Sequence, residues 1–186
     1  MKFIKRLLLI LLFFTVVVIL FRGTVYRSLV KYDSVGERTN YSVTDDKLTH
    51  YIDTGSKSLA DPEIQQIIRS ALSLTSAQLN FTAQKNDNDP NKLMTSKSAH
   101  CVGYAHFFAS TCNYLLDRHK LSGDWIAKPQ IGQLYFLGIN VHQFFSSPFL
   151  KDHDFVIIEN KKTGETFAVD PTLSDYLWID FVSNGK

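Results

Sequence analysis

Cys101, His153 and Asp170 carry side chains that together can do thiol chemistry. A thiolate is a strong nucleophile; a neighbouring imidazole holds it as the anion and shuttles its proton; a carboxylate fixes the imidazole's tautomer and orientation. Such a trio attacks the carbonyl of an amide or peptide bond and passes through an acyl-thioester. Residues this far apart in sequence can meet only if particular elements bring them together.

The first is a helix opening near Ser98–Cys101, with Ala105, Phe108, Ala109, Cys112, Leu115 and Leu116 on one apolar face and Leu121-Ser122-Gly123 ending it. Cys101 then lies in the first turn, where unpaired backbone N–H groups and the helix dipole favour an anion. The second is a hairpin, Asp154–Ile158 and Thr166–Val169 joined by the turn Asn160-Lys161-Lys162-Thr163-Gly164. If Phe155 opposes Asp170, His153 and Asp170 become diagonal neighbours on one face; a slip of one residue separates them. Asp152 and Asp154 flank His153, but adjacent strand residues point to opposite faces, so neither suits the orienting role.

Asp61-Pro62-Glu63 marks a helix start, and Ile64, Ile67, Ile68, Ala71 and Leu72 continue it toward Leu79. Lys85–Asn91 is a polar loop, and strand-like pieces at Trp125–Ala127 and Gln133–Leu137 make the second half largely β.

The helix-opening Cys101-Val102-Gly103-Tyr104-Ala105, the strand beginning at His153 and the later Val169-Asp170-Pro171-Thr172 together resemble the transglutaminase-like superfamily, over roughly Asp61 to Trp178. The resemblance implies an α+β, papain-like core in which the Cys helix packs on an antiparallel sheet. It implies Cys101 as nucleophile, His153 as base and Asp170 as the carboxylate that orients the base. Two positions depart from the pattern: Ala99-His100 precede the Cys where many relatives have Gly or an acid, and Asp154 intervenes between His153 and the aromatic Phe155. For the oxyanion, the Cys101 backbone N–H is a donor, with Asn80 or Gln84 as a side-chain supplement.

At 186 residues, 45% hydrophobic and 20% charged, the chain suits one globular domain plus an appendage. Net charge is +2 with scattered Lys and Arg, so no basic stripe suggests nucleic acid. The appendage is residues 1–23: Lys2, Lys5 and Arg6 precede an apolar run, Leu7–Phe21, broken only by Thr15. Fifteen helical residues span about 22 Å against a hydrocarbon core of about 30 Å, and Phe3 and Ile4 extend the run if Lys5 and Arg6 snorkel. No small-x-small cleavage site follows, so an uncleaved single-pass transmembrane anchor is expected. Arg22, Arg27 and Lys31 balance the charges before the run, and the signal-anchor default puts the catalytic domain on the extracytoplasmic side. Residues 24–59 are weakly periodic and read as a juxtamembrane stalk leading into peripheral strands; 60–186 form the catalytic domain.

The two cysteines, Cys101 and Cys112, lie eleven residues apart on one helix, about 16 Å, and cannot bridge; Cys112 reads as core. His50, His100, His106, His119 and His142 read as solvated or structurally bonded. No cofactor motif is present, the Cys and His spacing lacks the short ligand pairs of zinc sites, and Asp87 and Asp89 lack the Gly and Glu of a calcium loop. Among the aromatics, Phe107, Phe108, Phe144, Phe145 and Phe149 are candidate cleft walls, and Asn140–Lys151 is a candidate substrate-facing loop. The expected function is hydrolysis of an amide or peptide bond in a protein or peptide substrate. Amine transfer onto glutamine, or a non-catalytic envelope-binding module on the same fold, are the alternatives.

Overall fold

The computed structural model describes residues 2–185 and is α+β. In chain order the elements are α1 (Lys2–Leu20), α2 (Arg22–Leu29), β1 (Val30–Glu37), α3 (Asp46–Gly55), α4 (Ile64–Gln78), β2 (Asn80–Phe81), α5 (Pro90–Ser96), β3 (Ser98–Ala99), α6 (Cys101–Arg118), β4 (Trp125–Phe136), β5 (Ile139–Asn140), β6 (His153–Asn160), β7 (Thr166–Val169), α7 (Pro171–Leu177) and β8 (Ser183–Asn184). Two 3-10 turns, Val141–Phe144 and Pro148–Leu150, lie between β5 and β6.

The main sheet runs β7-β6-β4-β1-β8, with β5 paired to β4. Its neighbours are antiparallel except β1 and β8, which run parallel, so the sheet is mixed rather than the purely antiparallel one expected. The Val182 N–H donates to Ala168 O at 2.9 Å, which brings the chain entering β8 against β7 and nearly closes the sheet. α6 lies between α4 and the β4–β6 part of the sheet. Its Tyr104, Phe107, Phe108, Cys112, Leu115 and Leu116 are wholly buried. Removing such side chains from water is worth about 1.5–3 kcal/mol each, so α6 anchors the fold through its core face and is free to present its first turn.

Residues 24–59 are not peripheral. β1 is paired on both sides, to β4 and β8, and α3 buries Leu48 and Ile52 in the core. The strand escapes periodicity because its register shifts between Ser34 and Gly36 and only Tyr32 of its side chains is fully buried. Helix starts also differ in detail. Asp61 sits at φ 48° and Glu63 caps α4 in a capping box with Gln66. Inside the polar stretch, Asp89 caps α5 with Pro90 in its first turn.

α1 has 19 residues, about 28 Å of helix. From Ile4 to Leu20 its large apolar side chains are exposed, apart from the half-buried Val17. Among the described residues no single helix is long and apolar enough to cross a membrane. Ile4–Leu20 and Arg22–Leu29 pass that test only as a pair, bent by 78°.

Gly132 is where the sheet has no room for a side chain. It pairs with His153, and an added Cβ would lie 2.6 Å from the His153 carbonyl oxygen and 2.7 Å from the Phe155 ring. Gly132→Ala must push β6 away from β4, at a cost of about 1–3 kcal/mol and a Tm drop of about 3–10 °C. Calorimetry checks this; an unchanged Tm would contradict the close β4–β6 approach.

Candidate active site

Cys101 is the first residue of α6. The helix is capped by His100, whose Nδ1 accepts from the Val102 N–H at 3.2 Å, leaving Cys101 at the positive end of the dipole. His153 opens β6, and Asp170 follows β7 directly and caps α7. The hairpin register, Val156 opposite Val169, continues toward Phe155 and Asp170 and makes His153 and Asp170 the diagonal pair that the turn suggested. Their side chains meet: His153 Nε2 lies 2.7 Å from Asp170 Oδ2. The Cys101 side chain lines the same cleft as His153 and acts on the imidazole's charge. With Nε2 committed to Asp170, Nδ1 is the ring nitrogen left for the thiol. The structure therefore brings all three sequence candidates together, strung in the order thiol, imidazole, carboxylate.

Charge holds this string in place. Burial disfavours an imidazolium at His153, but the Asp170 charge and hydrogen bond, with those of Cys101, outweigh it and hold His153 well above the ordinary imidazole value. Burial likewise disfavours an ionised Asp170; His153, the Leu173 N–H and the Tyr32 hydroxyl overcome that and hold its carboxyl below the usual range. Asp170 Oδ1 accepts from the Thr172 and Leu173 N–H groups at 3.0 and 3.1 Å, and Oδ2 accepts from Tyr32 at 2.9 Å.

Tyr32 is a site residue that sequence reasoning missed, since it lies in a stretch read as stalk. Its hydroxyl donates to Asp170 and accepts from Tyr26 of α2 at 2.7 Å. Burial keeps both phenols protonated; Tyr26 is pushed up to about 12, and burial with the nearby Asp170 charge holds Tyr32 well above the ordinary phenol value. Arg38 was missed as well. Its Nε and Nη2 donate to Asp154 Oδ2 and Oδ1 at 2.7 and 3.0 Å, so the wholly buried Asp154 faces away from the triad and is held by a bidentate cation. Beyond Asp154, Asp152 and Cys101 also act weakly on the Arg38 charge.

The triad opens into a cleft of about 280 Å³ whose walls include Phe81, Leu134, Val141, Phe145, Phe149 and Leu150. The 140–151 stretch thus supplies one wall. Phe107 and Phe108 are core instead, and Phe144 points to solvent at 71% exposure. Asn80 and Gln84 do not line the cleft; the Asn80 amide faces the Lys97 carbonyl. Thr172 does line it, and its hydroxyl oxygen is buried without a hydrogen-bond partner, which makes it a donor at hand for an oxyanion beside the Cys101 N–H. Cys101 and Cys112 are both free, and burial pushes the Cys112 thiol up to about 12, as suits an inert core residue. His106 is buried edge-on to Tyr41 and held down at about 4 by burial and Arg38. Among the described residues no group of three or more His, Cys, Asp or Glu side chains is arranged to hold a metal ion. Comparisons with protein-family models, curated proteins and solved structures find no match for the chain.

The shifted pair sets a pH window. His153 is raised above 6.5, so the stability it contributes is whole below about pH 6.5 and is lost as pH rises through its folded value. Asp170 is lowered below 3.8, so its contribution is whole above about pH 3.8 and is lost as pH falls through its folded value. Asp170→Asn keeps a capping side chain but removes the charge. In urea unfolding its deficit should be largest between about pH 4 and 6.5 and shrink in acid; a deficit equal at every pH would contradict an ion pair.

Proposed function

We propose that the protein is a membrane-anchored thiol enzyme of transglutaminase-like type, acting on an amide or peptide bond through an acyl-thioester on Cys101. The observation that carries this reading is His153, paired with Asp170, sharing an apolar cleft with Cys101. A His–Asp ion pair with a wholly buried carboxylate, placed beside a thiol at a cleft, is not required for packing, and such perturbed titratable groups mark functional sites.

The steps follow from the atoms. Cys101 Sγ, paired with a protonated His153, attacks the carbonyl carbon; the oxyanion takes hydrogen bonds from the Cys101 N–H and the Thr172 hydroxyl. His153 gives its Nδ1 proton to the leaving amine and the C–N bond breaks, leaving the thioester. An acceptor then loses a proton to His153 as it attacks the thioester, and Cys101 departs as thiolate. Asp170, fixed by four hydrogen bonds, keeps the imidazole in one plane throughout. Hydrolysis is the preferred outcome because the His153 side chain retains 23% exposure, enough to meet water, and water is the simplest acceptor. The membrane part of the reading rests on α1, whose uncovered apolar side chains need a bilayer or an equivalent cover. The signal-anchor orientation puts the body outside the cytoplasm.

Incubating the full chain with a glutamine-containing protein and a tagged amine, then weighing the products, separates the outcomes. Hydrolysis products without tag are expected, lost by on the order of 10³-fold or more in Cys101→Ala. Tag incorporation in place of hydrolysis would overturn the preferred acceptor, and turnover surviving Cys101→Ala would overturn the mechanism.

A further inference from the structure

Resting on that reading, we propose that the cleft opens at the bilayer surface and that the substrate is an amphiphile held in the membrane, presenting its amide at headgroup level. The catalytic string is not held away from α1 on a stalk. α7, capped by Asp170 at one end and Trp178 at the other, is seven residues or about 10 Å long. At the Trp178 end Arg22, two residues beyond the end of α1, donates from Nε to the Leu177 carbonyl at 2.8 Å and from Nη2 to the Trp178 carbonyl at 3.0 Å, with its guanidinium 5.9 Å from the Trp178 ring centroid. Tyr26, on the next turn of α2, reaches Asp170 through Tyr32. One short helix and one pair of phenols thus tie the site to the point where α1 leaves the body.

α2 turns by 78° from α1, so with α1 along the membrane normal α2 lies almost in the surface plane. Its last residue, Leu29, accepts from the Leu137 N–H at 2.8 Å, which sets the β4–β5 turn at the same level. The exposed apolar side chains follow this geometry. Beyond α1 and Phe21, every large exposed hydrophobic except Val35 and Tyr41 lies in 136–150, in 176–178 or at Phe81. Phe81 joins the groups across the cleft: it lines the cavity and meets Tyr176 edge-on at 6.4 Å. Trp178, Phe144 and Leu137 are 72%, 71% and 64% exposed, the kind of side chain that sits at a membrane interface. The exposed Arg27 adds a positive charge on α2 for anionic headgroups.

The cavity matches such a substrate. Its wall is apolar apart from a few groups, one of which is His142, buried at 7% exposure. Nδ1 of His142 lies 2.8 Å from the Leu150 carbonyl and carries a proton, and Nε2, an acceptor in the neutral ring, is buried with no partner. An apolar chain beside an N–H donor, as in an amide-linked amphiphile, satisfies both features of that wall.

The test uses the full chain in phosphatidylcholine vesicles containing phosphatidylglycerol. Of the two tryptophans, Trp125 is in the core and Trp178 is exposed. Lipids brominated near the headgroup should quench the fluorescence, and Trp178→Phe should abolish the quenching. An iodoacetamide carried on a lipid headgroup should label Cys101 about tenfold or more faster than the same reagent free in solution. Leu137→Glu with Leu177→Glu should remove that advantage while free iodoacetamide still labels Cys101 at the parent rate. Failure of the quenching or of the lipid-borne labelling, with free reagent still labelling Cys101 in a His153-dependent way, overturns the membrane-facing cleft, assigns the apolar rim to a protein partner and leaves the enzyme reading intact. Free reagent that does not distinguish Cys101 from an ordinary thiol overturns the enzyme reading instead, whatever Trp178 does.

Discussion

A carboxylate with only 2% of its surface exposed stays ionised only if its lone pairs are filled, and at Asp170 they are: two backbone N–H groups at one oxygen, an imidazole and a phenol at the other. That single group ties α7, β6 and β1 together. It closes the first turn of α7, fixes the plane of His153 and gives Tyr32 a reason to be buried. Stripped of His153 the carboxylate would be an unpaired buried charge, and stripped of Asp170 the imidazole would have neither its charge nor its orientation. Structure and chemistry therefore depend on the same contact.

The remainder of the fold serves to hold Cys101 against that pair. α6 is gripped along its length by α4 and the sheet, so its first turn cannot drift. Gly132 lets β4 and β6 approach closely where His153 begins, and Arg38 fills the other face of β6 by pairing with Asp154. Alternation along one strand thus sorts adjacent residues into two roles: His153 faces the thiol, and Asp154 neutralises the Arg38 cation. With the bent α1–α2 junction tied to both ends of this arrangement, the site and the surface around that junction form one piece of architecture.

What could be read from the sequence was what is local. The Cys helix shows 3.6-residue periodicity, and the β6–β7 hairpin is fixed by Asn160 and by Gly164, which takes φ 73°. The hairpin was enough to pair His153 with Asp170, and the helix put Cys101 in a first turn; that the two elements meet was implied only by the resemblance. The rest depends on contacts between distant segments. Tyr32 acts on a residue 138 positions later, from a half-polar strand whose bulge breaks alternation, so nothing near it marked it as part of a site. The near closure of the sheet rests on one bond between Val182 and Ala168 at the end of the chain. The Thr172 hydroxyl and the His142 ring acquire meaning only from what surrounds them. Asp61 has the right chemistry for a cap, but the chain passes through a left-handed conformation there and Glu63 takes the role.

The central claim is that His153 and Asp170 act on Cys101 as one unit. The most direct test is the rate of iodoacetamide modification of Cys101 near pH 6, followed by mass spectrometry in the parent chain, His153→Ala and Asp170→Asn, with buried Cys112 as the internal reference. An assembled triad predicts fast modification in the parent, a drop of on the order of 10²-fold or more in His153→Ala and an intermediate rate in Asp170→Asn. Equal rates in all three, or a parent Cys101 as slow as Cys112, would contradict it.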